Sequence, residues 1–165
     1  MIVLGIDPGT ANTGWGLVRA KKSKNSSLQL VGYGCIVTPK SRGMPARLVQ
    51  LRKELKRLLG QVKPDVVAVE QHFFGINSQT AITVAQARGV ILETIAAKKL
   101  PIFEYQGLTV KKGLTGNGHA DKKEIERVVK RKLGLRKLKK PSDGFLDDAV
   151  DGLAMAIYHT LACAS

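Results

Sequence analysis

Sulfur is scarce in this chain. Its two cysteines, Cys35 and Cys163, lie far apart in 165 residues and share no metal-ligand spacing with the three histidines. One disulfide is formally possible, but both residues are expected to be small buried thiols. Long apolar runs are missing too: none approaches the roughly 18 residues that cross a bilayer. Met1-Ile-Val-Leu-Gly-Ile-Asp7 carries no basic leader and no small-residue cleavage site, so no signal peptide is expected and a cytoplasmic location is. Internal repeats and low-complexity tails are also absent. The length matches one domain, residues 1–165, large enough to bury a core without staples.

Acid is the other shortage. Thirteen Asp and Glu face twenty-seven Lys and Arg, for a net charge of +14. Such an excess favours a polyanionic partner. The charge is uneven: Lys98 to Lys140 holds fourteen basic and four acidic residues. That segment reads as a binding face.

Periodicity gives the element order. Ile2–Ile6, Thr13–Arg19 and Leu28–Thr38 are β-branched or apolar runs with short links, which predicts an antiparallel meander, with Lys21–Ser27 as a hairpin loop. Leu48, Leu51, Leu55, Leu58 and Val62 recur every three or four residues and predict a helix over Pro45–Gln61. Val66–Val69 is wholly apolar, as in a strand buried on both faces. A helix follows over Gln79–Ala97, with more apolar residues than one stripe needs; the surplus faces either a second layer or a partner subunit. Leu100–Tyr105 predicts a fifth strand, Gly113–Gly118 a glycine-rich loop, and Asp121 the cap of a basic helix reaching Leu133. Gly134–Ser142 reads as a basic linker and Phe145–Leu161 as a closing helix, with Leu146, Val150, Leu153, Ala154, Ile157 and Leu161 as its buried stripe and His159 at the surface. Trp15 is read as sheet packing. The class is α/β: a mixed five-stranded sheet flanked by helices.

The few acids are oddly placed. Asp7 and Glu70 each end an apolar strand, where the ligand groups of α/β sheets collect. Asp151 lies inside the last helix and shares its face with Asp148 at i−3 or Asp147 at i−4; helical geometry alone does not choose between them. Two strand-end acids and a helical pair make an all-oxygen donor set, which suits Mg²⁺ or Mn²⁺ and disfavours zinc. Two such ions about 4 Å apart support phosphodiester hydrolysis. An acidic pocket on a basic surface fits that chemistry.

These motifs together resemble a known family. Gly5-Ile-Asp-Pro-Gly-Thr10 with Thr13-Gly-Trp-Gly16, Val69-Glu-Gln-His-Phe73, Gly116-Asn-Gly-His-Ala-Asp-Lys122 and Asp148-Ala-Val-Asp151-Gly-Leu-Ala are similar in order and spacing to the RuvC family of bacterial Holliday junction resolvases. The resemblance runs from Ile2 to about His159. It implies a ribonuclease H-like fold, a homodimer, and Mg²⁺-dependent paired nicking of four-way DNA junctions, with two ions per site and Mn²⁺ as a substitute. It implies Asp7, Glu70, Asp148 and Asp151 as the catalytic, metal-holding carboxylates, and so supplies the choice of Asp148. It further implies Lys111 and Lys122 as DNA contacts near the scissile phosphate, Phe73 as an aromatic stacking on junction bases, and RuvA and RuvB as branch-migration partners. Asp147 is an extra acid beside the motif. His72 is read as a loop residue and His119 as a candidate phosphate contact.

Three rival readings share parts of the pattern. The Asp7-Pro-Gly-Thr10 turn is compatible with a sugar-kinase or actin-like phosphate loop, but those proteins grip nucleotide between two such domains. A non-catalytic DNA-binding module explains the charge but leaves four anions near phosphate unexplained. A related nuclease acting on another nucleic acid needs the same metal site.

Overall fold

A computed structural model of the chain describes residues 1–20, 28–71, 79–141 and 144–163. Five strands form one sheet: β1 (Ile2–Asp7), β2 (Asn12–Ala20), β3 (Leu28–Val37), β4 (Val66–Gln71) and β5 (Ile102–Gln106), in the order β3-β2-β1-β4-β5. β1 to β3 form the antiparallel meander, whereas β4 and β5 run parallel to β1. The predicted loop at 21–27 lies outside the described residues. Among the described residues, five helices accompany the sheet: α1 (Met44–Val62), α2 (Gln79–Ala96), α3 (Gly107–Thr115), α4 (Lys122–Lys132) and α5 (Leu146–Ala162).

Alternation along the central strands sorts side chains into two layers. Leu4, Ile6, Val67 and Val69 pack with Leu51, Leu55 and Leu58 of α1 and Ala87, Ile91 and Ile95 of α2. Val3, Val66 and Ala68 point the other way, into a second cluster with α4 and α5. Strands buried on both faces explain why β1 and β4 lack polar alternation.

Small residues bring α5 unusually close to the sheet. A Cβ on Gly5, Gly14 or Gly16 would overlap the α5 backbone, and one on Gly152 would come 2.6 Å from the Trp15 backbone. Strand and helix therefore meet main chain to main chain. The approach leaves α5 buried nearly all round, at Ala149 and Val150, from Gly152 to Ile157, and again at His159 and Thr160. His159, expected at the surface, is only 1% exposed. A single stripe underestimates this helix because the sheet covers one side and α3 and α4 the other. His159 Nδ1 lies 2.8 Å from the Tyr105 hydroxyl, which pairs it inside the fold, and burial lowers its pKa.

Three other expectations change. The segment read as a loop from Gly113 begins inside α3, whose Val110 and Leu114 face the core one turn apart. Gly113 is bare where Tyr158 lies against the helix, since a Cβ there would overlap the ring. Gly116, at φ 85°, is the left-handed cap that ends the helix. Cys35 is half-buried and Cys163 exposed, so Cys163 is not the buried residue expected. The apolar surplus of α2 divides: Ala87, Ile91 and Ile95 enter the core, while Ile82 remains 67% exposed. Trp15 does pack on the sheet, its ring covering Gly32 and Gly34. Asp121 caps α4 as predicted, accepting a 2.8 Å hydrogen bond from the Glu124 N–H.

Candidate active site

The period of two that sorts the core also aims the acids. Val3 and Val66 point toward α5, so Asp7 and Glu70, each four residues further along, point there as well. The parallel register sets Ile6 beside Val69, which brings the two carboxylates level at the strand ends. The two side chains lie within hydrogen-bonding reach of each other. Gly107, which opens α3, leaves the room that Glu70 occupies: a Cβ there would overlap a Glu70 carboxylate oxygen.

The glycine contacts bring the helical acids in. Asp7 pairs with Gly14 in the antiparallel register, and Gly14 is pressed against the backbone of Asp148. Asp148 thus starts α5 directly over the strand neighbour of Asp7, and Asp151 follows one turn later. Asp7, Glu70 and Asp151 line a cleft of about 200 Å³ with Lys111 of α3 and Lys122 of α4. Asp148 borders an adjoining cavity that shares Lys122 with the cleft.

Electrostatics show how costly this convergence is. Burial holds the Asp7 carboxyl well above the usual carboxylate range, reinforced by the charges of Glu70 and Asp151, the Glu70 hydrogen bond and Asp148. Asp151 is pushed up to about 6, first by burial. Lys122 and Lys111 pull it down while Glu70 and Asp148 push it up. For Lys122, burial acts to lower the pKa, but the hydrogen bond and charge of Asp147, with Asp151 and Asp148, outweigh it and raise the value. Four acids against two lysines leave a surplus of negative charge, and all-oxygen donors match a hard divalent cation. Among the described residues, no group of three or more His, Cys, Asp or Glu side chains is drawn together closely enough to hold a metal ion by itself. An open cluster suits Mg²⁺, which typically takes one or two carboxylates and completes its shell with water and substrate phosphate.

Asp147 has a different task from its neighbour. It is exposed, and its carboxylate lies 3.3 Å from the Lys122 ammonium. Sequence reasoning singled out both residues but missed their pairing, because it depends on where α4 meets α5. His119 is exposed, its N–H donating to the Asn117 side chain at 3.0 Å, and it lines neither cavity. Phe73 and His72 lie outside the described residues.

Comparison with known proteins finds similarity along nearly the whole chain. The family model described as Crossover junction endodeoxyribonuclease RuvC matches residues 3–159. A protein of that name from Syntrophomonas wolfei is 50% identical over 159 residues, covering 96% of this chain and 88% of its own. The Thermus thermophilus RuvC structure superposes with a TM-score of 0.85 at 29% identity, covering 99% of this chain and 96% of the other. A second structure, of T. thermophilus RuvC in complex with a Holliday junction substrate, gives a TM-score of 0.84 at 30% identity, with 99% and 94% coverage. The mixed five-stranded, ribonuclease H-like sheet expected from the sequence is the one these structures share.

Proposed function

The chain belongs to the RuvC family of crossover junction endodeoxyribonucleases, and from that premise we propose that it resolves four-way DNA junctions by paired, symmetric, Mg²⁺-dependent nicks. One observation carries the reading. Asp7, Glu70, Asp148 and Asp151 converge with Lys111 and Lys122 at one end of the sheet, in a chain of net charge +14. An acidic cleft costs stability and repels nucleic acid unless cations and phosphates enter together. The T. thermophilus complex with its junction substrate supports the choice of DNA.

Asp7, Glu70, Asp148 and Asp151 would hold two Mg²⁺, with Mn²⁺ as a substitute; such ions activate water and stabilise charge on the leaving 3′ oxygen. The chain's own residues do the rest. Lys111 and Lys122 hold the scissile phosphate against the acids as point charges. The buried floor beneath Asp7 limits water access, and the glycine-lined seam under α5 fixes the spacing of strand and helix carboxylates. Attack in line with the departing 3′ oxygen leaves a 5′-phosphate and a 3′-hydroxyl. Phe73 stacks on an unpaired base at the junction centre, worth about 1–3 kcal/mol. A homodimer of single-domain subunits, working in the cytoplasm, presents two such sites to symmetry-related strands. RuvA and RuvB are the partners that would deliver the junction. Among the described residues, no helix is long and apolar enough to cross a membrane.

The test is cleavage of an immobile four-way junction beside matched linear duplex, with Mg²⁺ or EDTA. Symmetric, ligatable nicks on the junction alone are expected. Cleavage of linear duplex at the same rate refutes junction selectivity, and nicks that a ligase cannot seal refute the mechanism.

A further inference from the structure

The segment joining α4 to α5 has no regular secondary structure over Ser-free residues 135–141, yet it is pinned at two adjacent points. Leu138 is 3% exposed and sits in the same apolar cluster as α4 and α5. The Tyr33 hydroxyl of β3 donates a 2.7 Å hydrogen bond to the Lys139 carbonyl. Lys137, Lys139 and Lys140 surround these anchors and are exposed. A linker built only to span would not need a buried leucine and a cross-sheet hydrogen bond in the middle of a lysine run.

The three lysines line the cavity of about 730 Å³ that also touches Lys122, Asp147 and Asp148. Lys122 borders the carboxylate cleft as well, so the two depressions share it as a common wall. Of the two acids in the outer cavity, Asp147 is taken up by Lys122. The remaining charge is strongly positive, directly beside the site of phosphodiester chemistry.

We infer that residues 137–140 form a second phosphate subsite, which holds the backbone of the cleaved strand beside the phosphate that is cut. The inference rests on the nuclease reading above. Its occupant is nucleic-acid backbone rather than a free anion, because the lysine-lined cavity adjoins the carboxylate cleft at Lys122, so a chain of phosphates reaches both. Anchoring at Leu138 and Tyr33 reduces the ordering cost of each lysine contact, which is how a preorganised surface gains affinity.

The experiment compares three proteins: wild type, the triple variant Lys137→Gln/Lys139→Gln/Lys140→Gln, and a charge-matched control, Lys53→Gln/Lys56→Gln/Lys98→Gln. The control residues are exposed and lie on α1, across the sheet from α5, and just after α2. Affinity for a labelled four-way junction is measured in EDTA from 50 to 200 mM KCl (roughly the range over which phosphate contacts are resolved). Each lost phosphate contact lowers the salt slope by about 0.9. The 137–140 variant should therefore lose about 1.8–2.7 from its slope, for two or three contacts, and at least about tenfold in affinity at low salt. The control should change by less than about 0.5, half a contact. If the triple variant fails to fold, at least two of the three single Lys→Gln variants should each lower the slope by about 0.9. A slope like that of wild type, or like that of the control, overturns the inference while leaving junction cleavage by wild type intact. A wild-type protein that neither binds nor cleaves the junction overturns the nuclease reading, and this subsite with it.

Discussion

Replacing Asp151 with asparagine removes a charge that the fold holds at a cost. Burial is the main cause, and Glu70 and Asp148 add to it against the pull of Lys122 and Lys111. Raising this carboxyl from 3.8 to about 6 disfavours its ionised form by about 3 kcal/mol, at roughly 1.4 kcal/mol per tenfold. Screening by water at this half-buried side chain reduces the effect to about 1–2 kcal/mol. The sign follows from linkage. Between pH 3.8 and about 6 the folded protein binds more protons at this site than the unfolded chain does, so stability falls as pH rises through that window and stays low above it. Asparagine has no such titration. In EDTA at pH 7.5, Asp151→Asn should therefore melt about 2–8 °C higher than wild type, at about 2–4 °C per kcal/mol for a chain of this size. Below about pH 4 the gap should close, because both proteins are then neutral at this position.

Excess Mg²⁺ should narrow or reverse the gap, because a ligand that binds only the folded state stabilises it and the variant has lost a donor. Thermal melting across pH 3.5 to 8, with and without Mg²⁺, measures every part of this. A variant no more stable than wild type in EDTA, or a gap independent of pH, would refute the claim that uncompensated carboxylates destabilise the cleft.

Three further outcomes follow from the same geometry. Asp7→Asn should lower junction cleavage by more than about a hundredfold, since a lost metal ligand forfeits several kcal/mol of transition-state stabilisation; junction binding by gel shift should persist, and its loss would point to a folding role. Asp147→Asn should tighten junction binding by up to about fivefold, the limit for releasing an exposed ion pair worth about 1 kcal/mol. That gain should vanish in a Lys122→Ala background, and its survival there would show that Asp147 acts directly on DNA rather than through Lys122. Gly16→Ala should cost about 1–3 kcal/mol by overpacking the seam under α5, read as a lower melting temperature, and an unchanged melt would refute the main-chain contact.

Much of this was legible because the acids terminate apolar runs. Val66–Val69 followed by Glu70 announces both a buried strand and a carboxylate at its end, and the alternation of a strand then fixes the face that the carboxylate takes. The helical partner was not legible in the same way. At 3.6 residues per turn, positions i−3 and i−4 flank Asp151 almost equally, so Asp147 and Asp148 are equivalent until a second element is specified. The family resemblance supplied the choice of Asp148. In the structure the Asp148 backbone is pressed against Gly14, the strand partner of Asp7. Such a contact is non-local, and no window of sequence contains it.

The same limit explains α3 and His159. Nine residues with a glycine at the first position and another at the seventh carry too little helix propensity to outvote a loop reading. The helix forms because Val110 and Leu114 find the core and Tyr158 lies against the bare face of Gly113. His159 looked peripheral because a stripe was drawn for a helix with one covered side, whereas α5 is covered on both. The lysine-rich segment before α5 reverses the case. Its charge was plain in the sequence, but whether it is a solvated tether or a shaped surface depends on Leu138 and on Tyr33, a residue 106 positions away from the carbonyl it holds. Charge density alone predicts attraction to nucleic acid; only the anchors turn that attraction into a position on the strand.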